Sequence, residues 1–270
     1  MPATEVVDLK RQAARLADSV REAGALALSM FKTPLKNWTK GEALSPVSDA
    51  DIAVDVLLRE RLTNNDESIA WLSEESVDDP ARLDARYVWI VDPIDGTRAY
   101  IAGLPDWAVS AALVENGRPV AACLYAPVSD EFFMAVAGQG ATRNGVAISA
   151  ASSAGLEQAR IAGPKRFLDR LQAIVPPFVV MPRPHSLALR LARVAEGTFD
   201  AAIAGGNSHD WDLAAADLLV HEAGGALTSF GGGTVTYNRP VPRHGMLVAA
   251  GRDRHAALIE FFRDERLVSL

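Results

Sequence analysis

The sequence predicts a mixed fold, an α+β first half joined to an α/β second half. Three observations carry this prediction. Residues 5–64 hold two long helical patterns, and the apolar runs that follow are broken by hairpin signals, of which Asn116-Gly117 is the strongest. From 159 to 262, short apolar runs alternate with helical patterns, as in βαβ units. A small-residue stretch at 150–155 separates the two regimes and sets the expected division into 1–150 and 151–270. At 270 residues, with 49% hydrophobic and 23% charged residues, the chain can bury a large core.

The elements follow in order. Residues 5–31, rich in Ala, Leu and Val, read as one helix, and 32–44 as an exposed loop. Ser45 to Asp51 opens a second helix that runs to about 64. Ser48 is its expected cap, and Asp51 completes a capping box. The apolar runs 69–72 and 87–91 are short strands ending at Glu74 and Asp92, and Pro93 should turn the chain out of the second. Strands 108–115, 118–125 and 132–137 form a meander, with a further turn at Asn144-Gly145. In the second half the expected strands are 159–162, 178–181, 201–204, 226–229 and 246–250. The helices are 165–174, 186–196, 212–223 and 255–262. Gly231-Gly232-Gly233 is a surface turn, since no Lys-Ser/Thr follows it.

A net charge of −7 argues against a broad nucleic-acid footprint, which needs a basic stripe. It leaves an anionic substrate open, because bound cations invert a local field. No apolar run approaches the roughly 20 residues needed to span a bilayer, and no signal peptide is evident. Cys123 is the single cysteine, which suits a reducing, cytoplasmic setting.

Four acidic clusters stand at the ends of predicted elements: Asp49/Asp51, Glu74/Glu75, Asp92/Asp95 and Asp210/Asp212/Asp217. Two carboxylates three positions apart at a strand end are either a solvated Asp-Pro turn or part of a site for a hard divalent ion. Taken singly, Asp51 and Asp212 read equally as first-turn helix acids. Asp210 and Asp217 read as ordinary N-terminal helix residues, Glu75 as a solvated neighbour of Glu74, and Trp211 as a packing aromatic. The five histidines lack metal-ligand spacing and are read as non-catalytic.

The run Asp92-Pro93-Ile94-Asp95-Gly96-Thr97, with Trp211-Asp212-Leu213-Ala214-Ala215-Ala216-Asp217 downstream, resembles the inositol monophosphatase superfamily of Mg²⁺-dependent phosphomonoesterases. The resemblance implies a layered αβαβα sandwich with its site between the halves. It implies two or three Mg²⁺ ions held by Glu74, Asp92, the carbonyl of Ile94, Asp95 and Asp212. Thr97 with Asp51 would orient and deprotonate the attacking water, and Gly96 would let the backbone approach phosphate. It also implies a small phosphorylated substrate, Li⁺ sensitivity and a homodimer. The rival reading is a protein of the same fold acting through a protein partner.

Two departures bear on the substrate. Family members that act on inositol phosphate carry a Glu seven positions before the metal-binding Asp, and here that position is Gly205. The segments Arg98-Ala99-Tyr100-Ile101 and Tyr125-Ala126-Pro127-Val128 resemble instead the branch that acts on 3′(2′),5′-bisphosphonucleosides. In that reading Arg98 would meet a second phosphate; otherwise it is a surface Arg at a helix start.

Overall fold

The computed structural model describes residues 7–41, 44–63, 68–173 and 175–262. The expected first residues of the opening helix, the end of the second near 64, and Ile174 lie outside them. The elements are α1 (Leu9–Met30), β1 (Asn37–Lys40), β2 (Ser45–Ser48), α2 (Asp49–Thr63), β3 (Ile69–Ser73), β4 (Tyr87–Asp95) and α3 (Thr97–Ile101). Next come β5 (Ala108–Glu115), β6 (Arg118–Ala126), β7 (Glu131–Val136), β8 (Ala141–Arg143), β9 (Val146–Ile148), β10 (Arg160–Ala162), α4 (Lys165–Leu171), β11 (Val179–Val180) and α5 (Leu187–Ala195). The chain closes with β12 (Ala201–Ala204), β13 (Ser208–His209), α6 (Asp210–Glu222), β14 (Gly225–Ser229), β15 (Arg243–His244), β16 (Leu247–Gly251) and α7 (Arg252–Phe262).

Strands β3 to β9 form a seven-stranded sheet in sequence order, and a five-stranded sheet runs β11-β10-β12-β16-β14. In the larger sheet only β3 and β4 are parallel; every later pair is antiparallel. Side chains alternate across β4. Trp89 and Val91 pack with α1 and α2, while Val88 and Ile90 face α5 and α6. Both faces are covered, so the whole strand is buried. Helix α6 lies between the two sheets and is apolar nearly all round, from Leu213 to Val220, as a helix with no solvent face must be. A third core, including Phe167, Phe230 and Phe262, fills the outer face of the small sheet under α4 and α7. The layers are therefore helix, sheet, helix, sheet, helix. No helix among the described residues is long and apolar enough to cross a membrane.

Three local expectations are corrected. The chain does not leave the sheet at Pro93. Strand β4 continues to Asp95, because a bulge between Asp92 and Asp95 accommodates the proline and re-registers Asp95 with Ala108 of β5. The stretch 32–44 is not all loop: β1 pairs with β2 in a hairpin, so 45–48 is strand and the helix begins at Asp49. Ser48 is only half of a capping box. Its N–H and Oγ both donate to Asp51 Oδ2, at 2.8 and 2.6 Å.

Candidate active site

The site lies where the C-terminal ends of β3 and β4 meet the start of α6. Parallel pairing sets Ser73 beside Val91, so Glu74 follows beside Asp92, and Glu74 N–H donates to Val91 O at 3.3 Å. Asp212 is the third residue of α6, and its carboxylate turns back to accept from His209 N–H at 2.7 Å. Oxygens of Glu74, Asp92 and Asp212 come within 4.8 Å of one another, a group able to hold a metal ion.

Their electrostatics are unusual. Burial, with the charges of the neighbouring acids added, raises Asp92 and Asp212 well above the ordinary carboxylate range. Burial pushes Glu74 up to about 7, against the opposing pull of Lys40. These carboxylates resist ionising together unless a cation joins them.

Asp95 is placed differently. It stands outside that trio. Its Oδ2 accepts from Ser186 Oγ and from Ala188 N–H, each at 2.6 Å, at the start of α5. Burial raises its pKa, and those donors partly offset the rise. Ser186 also caps α5, its Oγ accepting from Leu189 N–H at 2.9 Å. The bulge that carries β4 to Asp95 hands this carboxylate to the α5 side of the cleft.

Asp51 and Thr97 do meet. Thr97 Oγ1 lies 2.8 Å from Asp51 Oδ1 and 3.0 Å from Ile94 O, so its hydroxyl proton has two acceptors. Ser48 occupies the other Asp51 oxygen, and burial raises the pKa of this carboxyl. Ile94 N–H donates to Asp92 Oδ1 at 3.1 Å. Gly96 has φ 98°, and a Cβ there would stand 3.2 Å from Asp106 O and 3.3 Å from Ser186 N, so glycine is required on both counts. Arg98 is exposed on α3 without a polar partner among the described residues. Gly205 follows β12 directly, and a Cβ there would meet nothing nearer than Pro164 Cγ at 3.7 Å.

Several residues have other places than expected. Glu75 is not solvated; its side chain is 2% exposed and pairs with Lys40 Nζ at 2.7 Å. Lys40, from the unforeseen hairpin, also donates to Glu74 O at 2.7 Å. Asp210 is not an ordinary first-turn acid. It is fully buried, accepting from His244 Nε2 at 2.6 Å and from Asn238 N–H at 2.7 Å. Asp217 is likewise buried and accepts from Tyr237 OH at 2.8 Å. Trp211 does pack, partly buried against the central core, and the His209 ring stacks on it at 4.7 Å. The helix-start position of Ser186 was the one sequence signal for its capping role. Nothing local marks the partners of Lys40 or Asp210, which lie 34 and 28 or 34 positions away.

Comparison with known proteins bears on this arrangement. The model of the inositol monophosphatase family matches residues 9–266. The chain belongs to the inositol monophosphatase family. An inositol monophosphatase of Dictyostelium discoideum is 35% identical over 228 residues, covering 80% of this chain and 84% of that protein. A relative named Nus factor SuhB, from Escherichia coli K12, is 32% identical over 226 residues, with the same coverage of 80% and 84%. The solved structure of extragenic suppressor protein suhB from Bartonella henselae superposes with a TM-score of 0.81 at 29% identity, covering 93% of this chain and 98% of that one. Membership of the inositol monophosphatase family supports a phosphatase, and the layered architecture is the one shared with these structures.

Proposed function

We propose that this chain is a Mg²⁺-dependent phosphatase of small phosphomonoesters, working in the cytoplasm on inositol 1-phosphate or 3′-phosphoadenosine 5′-phosphate. The observation that carries this reading is the Glu74–Asp92–Asp212 trio, whose oxygens converge within 4.8 Å. Hard carboxylate oxygens suit Mg²⁺, and their raised pKa values mark a place that gains from a cation. Glu74, Asp92, the carbonyl of Ile94, Asp95 and Asp212 would hold two or three such ions. When bound, Mg²⁺ neutralises phosphoryl oxygens and makes a coordinated water more acidic.

The chain's own residues do the rest. Asp51 Oδ1 accepts the Thr97 hydroxyl proton, which leaves the Thr97 oxygen free to accept from a water in the cleft. A proton taken from that water passes to Asp51, whose raised pKa suits it as a base. Gly96 allows close approach of phosphate, and Arg98 and Gly205 border the rest of the substrate. Without an acidic side chain at 205, polyol hydroxyls lose an acceptor, and discrimination among alcohols weakens.

The test is phosphate release with Mg²⁺ from both esters by the native protein and by Asp92→Asn. The expected loss is about 10²–10³-fold, since stabilisation of several kcal/mol is removed and each 1.4 is worth tenfold. Full activity in the variant sinks the metal scheme. The names of the SuhB relatives favour a second reading, a protein that acts through a partner. In that case Mg²⁺ should leave the thermal midpoint unmoved, whereas a site ligand raises it by mass action.

A further inference from the structure

Each carboxylate of the acidic trio must be held in place, and only two of the three have a hydrogen-bond donor of their own. Asp92 Oδ1 accepts from Ile94 N–H at 3.1 Å, and Asp212 Oδ2 accepts from His209 N–H at 2.7 Å. The Glu74 carboxylate accepts no hydrogen bond among the described residues, and its ion pair with Lys40 is long, at 3.6 Å. A glutamate side chain also has more rotamer freedom to lose than an aspartate. The placement of Glu74 therefore depends on its backbone.

That backbone is clamped by a carboxylate with no part in the chemistry described so far. Asp55 lies one helical turn beyond Asp51 on α2 and is 7% exposed. It stands past the first turn, where an aspartate neither caps a helix nor favours it. Its Oδ1 accepts from Ser73 Oγ at 2.5 Å, and its Oδ2 accepts from Ser76 Oγ at 2.6 Å. Ser73 Oγ accepts in turn from Glu75 N–H at 3.3 Å, and Ser76 Oγ from Trp71 Nε1 at 3.2 Å. One carboxylate thus ties both ends of the turn Ser73-Glu74-Glu75-Ser76. Asp55 has no ion-pair partner among the described residues. A buried anion without a cation is costly, so its presence needs a reason beyond packing. Two acceptors at a fixed separation, matched to two hydroxyls, are such a reason.

We infer that Asp55 is a positioning residue: acting through Ser73 and Ser76, it fixes the turn that aims the Glu74 carboxylate at Asp92 and Asp212. The inference rests on the reading of that trio as a Mg²⁺ site. With both oxygens engaged by hydroxyls, Asp55 acts through the turn and not on the ion. Partners that only orient a metal ligand still govern metal affinity by about 10–100-fold.

The experiment measures Mg²⁺ affinity without substrate, from the rise of the thermal midpoint with Mg²⁺ concentration. The proteins are the native chain, Asp55→Ala, Asp55→Asn, Ser73→Ala and Ser76→Ala, and urea unfolding with EDTA reports stability alone. Asp55→Ala should weaken Mg²⁺ binding by about 10–100-fold. Each serine variant should weaken it by a smaller factor, and Asp55→Asn, which keeps one acceptor, should fall below Asp55→Ala in its effect. Adding Ser76→Ala to Asp55→Ala should cost no further affinity, since the bond it removes is already gone. Lower stability with native Mg²⁺ affinity would make the clamp merely structural and overturn the inference. So would serine variants that bind Mg²⁺ as the native protein does while both Asp55 variants lose affinity equally, because charge and not position would then be at work. Should Asp55→Ala fail to fold, the serine variants decide: weaker Mg²⁺ binding upholds the clamp, and native affinity overturns it. A native protein that binds Mg²⁺ but releases phosphate from neither ester defeats the phosphatase reading alone, and the affinities still decide the clamp. A native protein that binds no Mg²⁺ overturns both.

Discussion

The fold buries two groups of carboxylates and treats them in opposite ways. Glu131, 4% exposed on β7, is held by Arg193 Nη1 at 2.8 Å, by Arg143 and by Ser129, and Glu196 is bound by the same two arginines. Burial alone would raise the pKa of Glu131; the guanidinium groups and the Ser129 hydroxyl bring it below its ordinary value. Glu74, Asp92 and Asp212 have no arginine at all among the described residues, and theirs are raised. One group carries its counter-ions in the chain. The other leaves them to be supplied, with Lys40 alone close to Glu74. An internal ion pair serves the fold, while carboxylates left short of cations form a group able to hold a metal ion.

Breaking the paired group should have the largest effect on stability. Arg193→Met leaves Glu131 and Glu196 short of a partner in a buried setting and should cost about 3–5 kcal/mol, read by urea unfolding. Activity per folded molecule and its Mg²⁺ dependence should not change; an altered Mg²⁺ requirement would erase the distinction between the groups.

Next in size is the response to pH. Glu74 ordinarily titrates near 4.5 and here near 7, so the folded state binds its proton more tightly than the unfolded chain does. Its contribution to stability is full below about 4.5 and is lost as pH rises through 7; Asp92 and Asp212 act in the same direction. Glu131, and Asp200 where Arg160 and Arg254 outweigh burial, are shifted down, so they contribute above their unfolded values and lose that on acidification. Mg²⁺ competes with the protons of the first group alone. Its stabilising effect should therefore grow from pH 5 to 7, reaching about 2.7 kcal/mol at a hundred times its Kd. A Mg²⁺ effect that does not vary with pH would contradict this.

The smallest effect expected comes from adding a carboxylate to the open group. At Gly205→Glu the new Cβ would meet nothing nearer than Pro164 Cγ at 3.7 Å. The variant should shift the kcat/KM ratio towards inositol 1-phosphate, and away from a bisphosphate, by about tenfold, the scale of one polar contact. No shift in that ratio would show that position 205 does not face the substrate.

Much of this was legible in the chain. The apolar runs and helical patterns marked most strands and helices of both sheets, though not β8 and β9, and the ends of β3 and β4 with the starts of α2 and α6 carry the four acidic clusters. What stayed hidden depends on distant partners. The bulge that carries β4 past Pro93 is set by pairing with β5, which no local propensity reports. Asp210 reads as a helix acid because its partners, Asn238 and His244, come from a segment that β15 brings back onto β13. Glu75 looks solvated until the β1–β2 hairpin lays Lys40 over it. Asp95 matches its motif, yet the donors on its Oδ2 come from α5, some ninety residues on.

The position of Lys40 has a kinetic meaning as well. Its ammonium rests on Glu74 and Glu75 from a short hairpin, so it never diffuses away. A divalent ion arriving at Glu74, as the proposed function requires, would meet a tethered rival at high effective concentration. On the metal reading proposed above, the acidic end of the cleft would not stand bare between visits, and occupancy would follow the supply of free ion.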